Sequence, residues 1–182
     1  AGLERAGAEL QDGDVLVVAQ KIVSKSEGRF ADLDTVTPPT PAVDLAEKTD
    51  KGPRLVELIL SESKEVLRYR PGVLIVVHRL GFVLANAGID SSNVAPQNDG
   101  HRVLLLPVDP DAACANFRAA LQARFGQNVP IVISDTVVRA WRVRPVGISL
   151  GSAGLERVPH LHGPSDASGR TLSRTVHRLA EH

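Results

Sequence analysis

Cysteine occurs once and methionine not at all in these 182 residues, and the aromatic residues are four Phe, one Tyr and one Trp. The single Cys114 excludes an intramolecular disulfide and any Cys-rich zinc site, so a reducing compartment is the simplest assignment. Neither sign of charge is in excess, with Lys plus Arg and Asp plus Glu both at 21. Sequence-independent nucleic-acid binding wants a basic surplus and stacking platforms, and both are missing, so no nucleic-acid partner is expected. No apolar run approaches the ~18 residues that a membrane helix needs, and no charged-then-apolar leader opens the chain. A soluble, cytoplasmic protein without a membrane partner is the expectation. The absence of Met, with a start inside what reads as a helix over residues 1–10, adds the expectation that the natural N-terminus lies upstream.

The length suits one domain, or two small intertwined lobes, with a sizeable core. Gly13-Asp14 reads as a turn into the apolar run 15–19, which has the length of a strand buried on both faces, and the polar Gln20-Lys21-Ile22-Val23-Ser24-Lys25 follows it. The Pro-rich stretch 35–41 reads as a loop. Helices are predicted over 42–50 and 53–63, the second with Pro53 in its first turn and Leu55, Leu58 and Ile59 on one face. Residues 66–70, 73–77 and 82–85 read as three short strands in close succession, which favours antiparallel pairing. A strand over 103–106 precedes a helix running to Phe125, with acidic residues at its start, Phe117, Leu121 and Phe125 on its buried face, and Gly126 as its stop. Cys114 falls inside that helix as a small core residue. Strands over 129–133 and 144–150 and a last helix over 170–181 complete the pattern. The order fits an α+β fold of mixed, largely antiparallel sheets with flanking helices better than a doubly wound parallel sheet.

Two stretches suggest chemistry. Asn86-Ala87-Gly88-Ile89-Asp90-Ser91-Ser92-Asn93 and Ser134-Asp135-Thr136 each set an isolated carboxylate among small polar residues just after an apolar run. Hydroxyl and amide groups beside an Asp let a divalent cation keep waters and phosphate oxygens as ligands, which Mg²⁺ and Mn²⁺ prefer over an all-protein cage. The same residues also make ordinary turns, and on local pattern alone the turn reading wins. No G-x-x-x-x-G-K-[ST] or G-x-G-x-x-G occurs, so a nucleotide would be held by another device. His78, His101, His160 and His162 have no convincing ligand spacing.

Read together, residues 12–29, the stretch 86–94, Leu105-Leu106-Pro107-Val108-Asp109-Pro110-Asp111, and Ser134-Asp135-Thr136 with Arg139-Ala140-Trp141-Arg142 resemble the coenzyme F420-0:L-glutamate ligases, the γ-glutamyl ligases of F420 biosynthesis. Four blocks occur in the family's order between about residues 2 and 170. The resemblance implies a single ligase-like domain over 1–182 with the family's intertwined lobes, working as a homodimer. It implies GTP as phosphoryl donor, Mg²⁺ or Mn²⁺, with K⁺ as a candidate further cation, and joining of L-glutamate to F420-0 through an acyl phosphate. Position by position, Asp90 and Asp135 match carboxylates on one metal and Thr136 a ligand of the second. Gln20, Lys21, Lys25 and Asn93 match nucleotide contacts, with Lys25 on phosphate. Arg139 and Arg142 fall where the family has Arg-x-Trp-Arg and are the expected catalytic pair, gripping carboxylate or phosphate bidentately. The alternative, in which these arginines cover apolar surface around Trp141, carries equal weight from the residues alone.

Departures accompany the match. Val138 and Arg144-Pro145 stand where the family has glycines, and Asp166-Ala167-Ser168-Gly169-Arg170 lacks the family's aromatic. The resemblance also implies segments before residue 1 and after residue 182, the latter glycine-rich. A non-catalytic homologue that binds a phosphorylated ligand, and a metal-dependent phosphohydrolase, remain the alternatives at this stage.

Overall fold

Strand pairing in this chain sorts the residues into two compact units, one made of residues 1–23 and 109–182, the other of residues 24–108. The structure, a computed structural model, describes residues 2–7, 9–11, 13–90, 101–138, 143–155, 160–161 and 175–176. The chain is α+β, with mixed sheets and flanking helices, as its element order leads one to expect.

In the unit that holds both ends of the chain, helix α1 (Gly2–Ala6) is shorter than the expected 1–10. Strand β1 (Leu16–Ala19) leads straight into helix α2 (Gln20–Ser26), which the sequence pattern did not reveal. Near the other end of the chain come helix α5 (Pro110–Phe125) and strands β7 (Ile131–Val137) and β8 (Val146–Ala153). They form a three-stranded sheet in the order β1-β7-β8, with β1 parallel and β8 antiparallel to the central β7. Among the described residues β1 is therefore an edge strand. Val17 is 61% exposed, which corrects the expectation of burial on both faces. The apolar content of residues 15–19 reflects β-propensity as much as burial.

Helix α5 follows its sequence signals closely. The Asp109 carboxylate accepts the Ala112 N–H at 3.0 Å as N-cap, Pro110 occupies the first turn, and Gly126 at φ 72° closes the helix. Cys114 is fully buried, while Phe117, Leu121 and Phe125 are half-buried. The helix docks on β8 through its N-terminal turn. Asp111 Oδ1 accepts the Ser152 N–H at 3.0 Å, and a Cβ on Gly151 would lie 2.5 Å from the Pro110 carbonyl carbon. Glycine at 151 is thus a packing requirement. Short strands β9 (His160–Leu161) and β10 (Thr175–Val176) pair antiparallel, so the part of the expected 170–181 helix that is described is a strand.

The unit of residues 24–108 contains β2 (Phe30–Asp32), helices α3 (Thr40–Thr49) and α4 (Pro53–Ser61), strands β3 (Ser63–Arg70), β4 (Val73–His78) and β5 (Val83–Ala85), and β6 (Arg102–Leu104). The helices begin and end close to their predicted bounds. The β3-β4-β5 sheet is antiparallel as expected. One face of it carries Leu74, Val76 and Leu84, and the first two pack with Ala42, Ala46, Val56, Ile59 and Ala87 in one core.

A buried ionic cluster joins the elements of this unit. Glu62, the C-cap of α4, receives Arg29 Nη2 at 2.8 Å and lies 3.1 Å from Arg79 Nε and 3.6 Å from His78 Nε2. His78 is fully buried, and its Nδ1 accepts the Leu80 N–H at 3.0 Å, so the neutral ring carries its proton on Nε2, towards Glu62. Burial alone raises the Glu62 pKa; the His78 imidazole, Arg29 and Arg79 outweigh it and hold the carboxyl below its ordinary value. A depressed carboxylate contributes stability that is present above the unfolded-state value of 4.5 and is lost as pH falls through the lower folded value. Urea titrations of the wild type should therefore show stability falling below that pH. Glu62→Gln should flatten the dependence and cost about 3 to 5 kcal/mol at neutral pH, because it leaves two arginines facing no charge. A Glu62→Gln protein as stable as wild type at pH 7 would contradict this account of the cluster.

Candidate functional site

Parallel pairing places the end of β1 beside the middle of β7. The register matches Leu16 with Ile131 and ends with Ala19 opposite Ser134. Past Ala19 the chain leaves the sheet as α2, whereas β7 continues through Asp135, Thr136 and Val137, paired among the described residues with β8 alone. Asp135 is accordingly inside a strand, opposite Ile148, rather than at a strand end as the sequence suggested. The strand runs on because residues 146–148 of β8 still offer backbone partners. A register shift between Ile133 and Ser134 leaves Leu150 as an extra residue in β8, and such bulges re-aim side chains. Thr136 is exposed and Asp135 half-buried, and Asp135 Oδ1 accepts the Thr136 N–H at 2.8 Å, which fixes the carboxylate's orientation. Among open sheets, ligands gather where the parallel strands end and the chain departs into a helix.

Helix α2 separates its faces by spacing. Gln20, Val23 and Ser24 are buried at 3%, 1% and 0% exposure, an i, i+3, i+4 set. Lys21 and Lys25 stand four residues apart on a second face, Lys25 exposed. Like charges at this spacing disfavour a helix by roughly 0.2 to 0.5 kcal/mol. Gln20 is the one buried residue among the described members of the expected nucleotide set.

Asp90 belongs to the other unit, and its backbone is fixed more tightly than its sequence context suggests. It makes an antiparallel bridge with Leu104, exchanging N–H to O bonds of 3.0 and 2.8 Å. The approach to it is strained. Asn86 (φ 52°), Ala87 (φ 53°, ψ 25°) and Gly88 (φ 68°) are three successive left-handed residues. Left-handed geometry costs an alanine roughly 1 to 2 kcal/mol, so the surrounding structure must impose it. Sequence reasoning missed this turn; the Asn-Ala-Gly string is compatible with it but does not demand it. It also missed the Glu62 cluster, whose members are scattered over 50 residues. Val138, expected to be awkward in a glycine's place, is 77% exposed; among the described non-glycine residues positive φ occurs at Asp50, Asn86 and Ala87.

Oxygen donors from Asp90, Asp135 and Thr136 are the hard ligands that suit Mg²⁺ or Mn²⁺. Among the described residues no group of three or more His, Cys, Asp or Glu gathers as a metal site. Each of these side chains is of the kind that such a cation accepts alongside water and phosphate. Asn93, Arg139 and Arg142 lie outside the described residues. Two open clefts in the 24–108 unit, of about 480 and 290 Å³, are lined by residues of α3, α4 and the segments near them and contain none of the expected site residues.

Burial separates two of the expected nucleotide contacts. Lys25→Ala should leave the thermal midpoint of the unliganded protein almost unchanged, whereas Gln20→Ala, which empties a buried polar position, should cost about 1 to 3 kcal/mol. Thermal denaturation checks both, and equal losses would contradict the assigned faces of α2.

A family model described as F420-0:Gamma-glutamyl ligase matches residues 1–182. A coenzyme F420:L-glutamate ligase of Methanothermobacter thermautotrophicus is 41% identical over 181 residues, covering 100% of this chain and 70% of that protein. The protein of the same name from Methanopyrus kandleri is 40% identical over 181 residues, again 100% and 70%. That of Methanocaldococcus jannaschii is 35% identical over 172 residues, 94% of this chain and 67% of the relative. No described helix is long and apolar enough to cross a membrane. With its α+β sheets and the match along its whole length, the chain belongs to the F420-0:gamma-glutamyl ligase family.

Proposed function

We propose that this chain carries the ligase chemistry of its family, joining L-glutamate to F420-0 at the expense of GTP. The observation that carries the reading is the stepped end of the β1/β7 pair, where Asp135 and Thr136 continue past the point at which the chain turns into α2 with Gln20, Lys21 and Lys25. Oxygen donors from one strand and ammonium groups from the helix that follows its parallel neighbour are what a metal-bound nucleoside triphosphate requires.

A carboxylate is a poor acyl donor. In the proposed reaction the F420-0 carboxylate oxygen attacks the γ-phosphorus of GTP, forming an acyl phosphate and releasing GDP. The glutamate amine then attacks the acyl carbon, phosphate leaves, and the amine's proton passes to solvent or phosphate. Asp90, Asp135 and Thr136 would hold Mg²⁺ or Mn²⁺, which supplies charge neutralisation along the phosphates. Lys21 and Lys25 pair with phosphate oxygens, and Gln20 orients the nucleotide from its buried position. Arg139 and Arg142 bind the substrate carboxylate or phosphate. Positioning and charge compensation carry most of phosphoryl transfer, so little covalent work falls to the protein. The expected homodimer and any K⁺ requirement belong to this same reading.

The test is mass spectrometry of F420-0 incubated with GTP, L-glutamate, Mn²⁺ and the full-length protein. The expected product is heavier by one or more glutamyl residues, with one GDP released per bond. Asp135→Asn should abolish the product while the metal-free protein keeps its melting temperature, since it removes a charge rather than a core contact. GTP hydrolysis without glutamylation would favour a phosphohydrolase, and unchanged turnover by Asp135→Asn would remove that residue from the site.

A further inference from the structure

We propose that Ala87 and Gly88 are positioning residues for Asp90, acting through the left-handed turn that delivers it. The inference rests on the reading of Asp90 as a metal ligand and adds a device that sets its place. Three observations within the 24–108 unit support it.

First, the turn is held from one side by the core. Ala87 is fully buried and packs with Val56, Ile59, Leu74 and Val76, so its methyl group anchors a backbone conformation that an alanine does not adopt unaided. Second, it is held from the other side by Leu106. A Cβ on Gly88 would stand 3.1 Å from the Leu106 side chain, closer than ordinary packing allows, and Gly88 has φ 68°. Third, the chain leaving the turn is caught at once. The Ile89 N–H donates to Asn86 O at 3.0 Å, and Asp90 makes its two-way backbone bridge with Leu104.

Leu104 and Leu106 are two residues apart on one extended segment, so the contact that fixes Gly88 and the bridge that fixes Asp90 share a support. That support is itself tied down, since the Leu105 N–H donates to Arg29 O at 3.0 Å and Arg29 Nε donates to Leu106 O at 2.9 Å. A strained turn clamped at both ends leaves the residue two places beyond Gly88 little freedom. Such rigidity is what a metal ligand contributed by a loop lacks unless its neighbours supply it.

Ala87→Gly is the direct test. It keeps the left-handed conformation accessible, indeed relieves it, and removes only the methyl anchor. Gly88→Ala is the complementary variant, because it makes the φ unfavourable and crowds Leu106. Two quantities are measured on the full-length protein: the dissociation constant for Mn²⁺ by calorimetry, and amide hydrogen exchange at Asp90 and Leu104 in the metal-free state. For Ala87→Gly we expect a folded protein with faster exchange at these two amides and Mn²⁺ binding weakened about ten-fold, 1.4 kcal/mol by conversion. Gly88→Ala, where it folds, should weaken Mn²⁺ at least as much. A purely structural role for Ala87 would alter exchange or melting and leave the dissociation constant within about two-fold of wild type, and that result overturns the inference. Failure of the wild type itself to bind Mn²⁺ overturns it differently, by removing the metal role of Asp90.

Discussion

The backbone of residues 102–106 is hydrogen-bonded along both edges, and the organisation of the 24–108 unit depends on that. One edge pairs with β2, where the Arg29 carbonyl takes the Leu105 N–H, and the other edge receives Asp90 at Leu104; Arg29 Nε also donates to Leu106 O. Arg29 then passes the connection on through its guanidinium to Glu62, where α4 ends. Glu62 in turn holds the start of the β4–β5 turn, through Arg79 at the side chain and through its own carbonyl, which accepts the Arg79 N–H at 3.0 Å. A buried carboxylate with two arginines and an imidazole around it is weak evidence for stability by itself. Its consequence here is geometric: elements far apart in sequence meet through groups with directional bonds, and Asp90 is attached to the same framework.

The other unit solves its problem with strands. A parallel pair of unequal length leaves the end of β7 paired, among the described residues, on one side, and the bulge at Leu150 shifts the register where Ser134 and Asp135 begin. Small side chains are tolerated there because residues 134–136 lie beyond the apolar part of the strand, Ile131, Val132 and Ile133, which is buried. Helix α5 fixes the sheet from one side by contacts that accept no side chain at Gly151, so β8 and the strand it supports have little latitude.

Local signals made much of the fold legible. Asp109, Pro110 and Gly126 announce both ends of α5, Pro53 announces α4, and the turns at Pro71-Gly72 and Gly81 separate three strands that do pair in succession. What the sequence concealed depends on partners distant in the chain. Whether Val17 is covered is decided by what packs on its face of the β1-β7-β8 sheet, not by residues 15–19. Seven residues of mixed polarity in α2 are too few for a helical period to stand out, although Gln20, Val23 and Ser24 form its buried face. The left-handed conformation at Ala87 is imposed by packing against α4 and β4, against the residue's own preference. As for the site, the stretches containing Asp90 and Asp135 stood out as carboxylates among small polar residues, but strand register and turn geometry came only with the structure.

The central proposal is the metal role of Asp90 and Asp135, each as a carboxylate ligand of the cation that accompanies GTP. The most direct measurement is anomalous diffraction from crystals of the full-length protein grown with Mn²⁺ and GTP. The account predicts manganese with a carboxylate oxygen of each residue at about 2.0 to 2.6 Å. Manganese bound to only one of them, or to neither, with the nucleotide in place would contradict it.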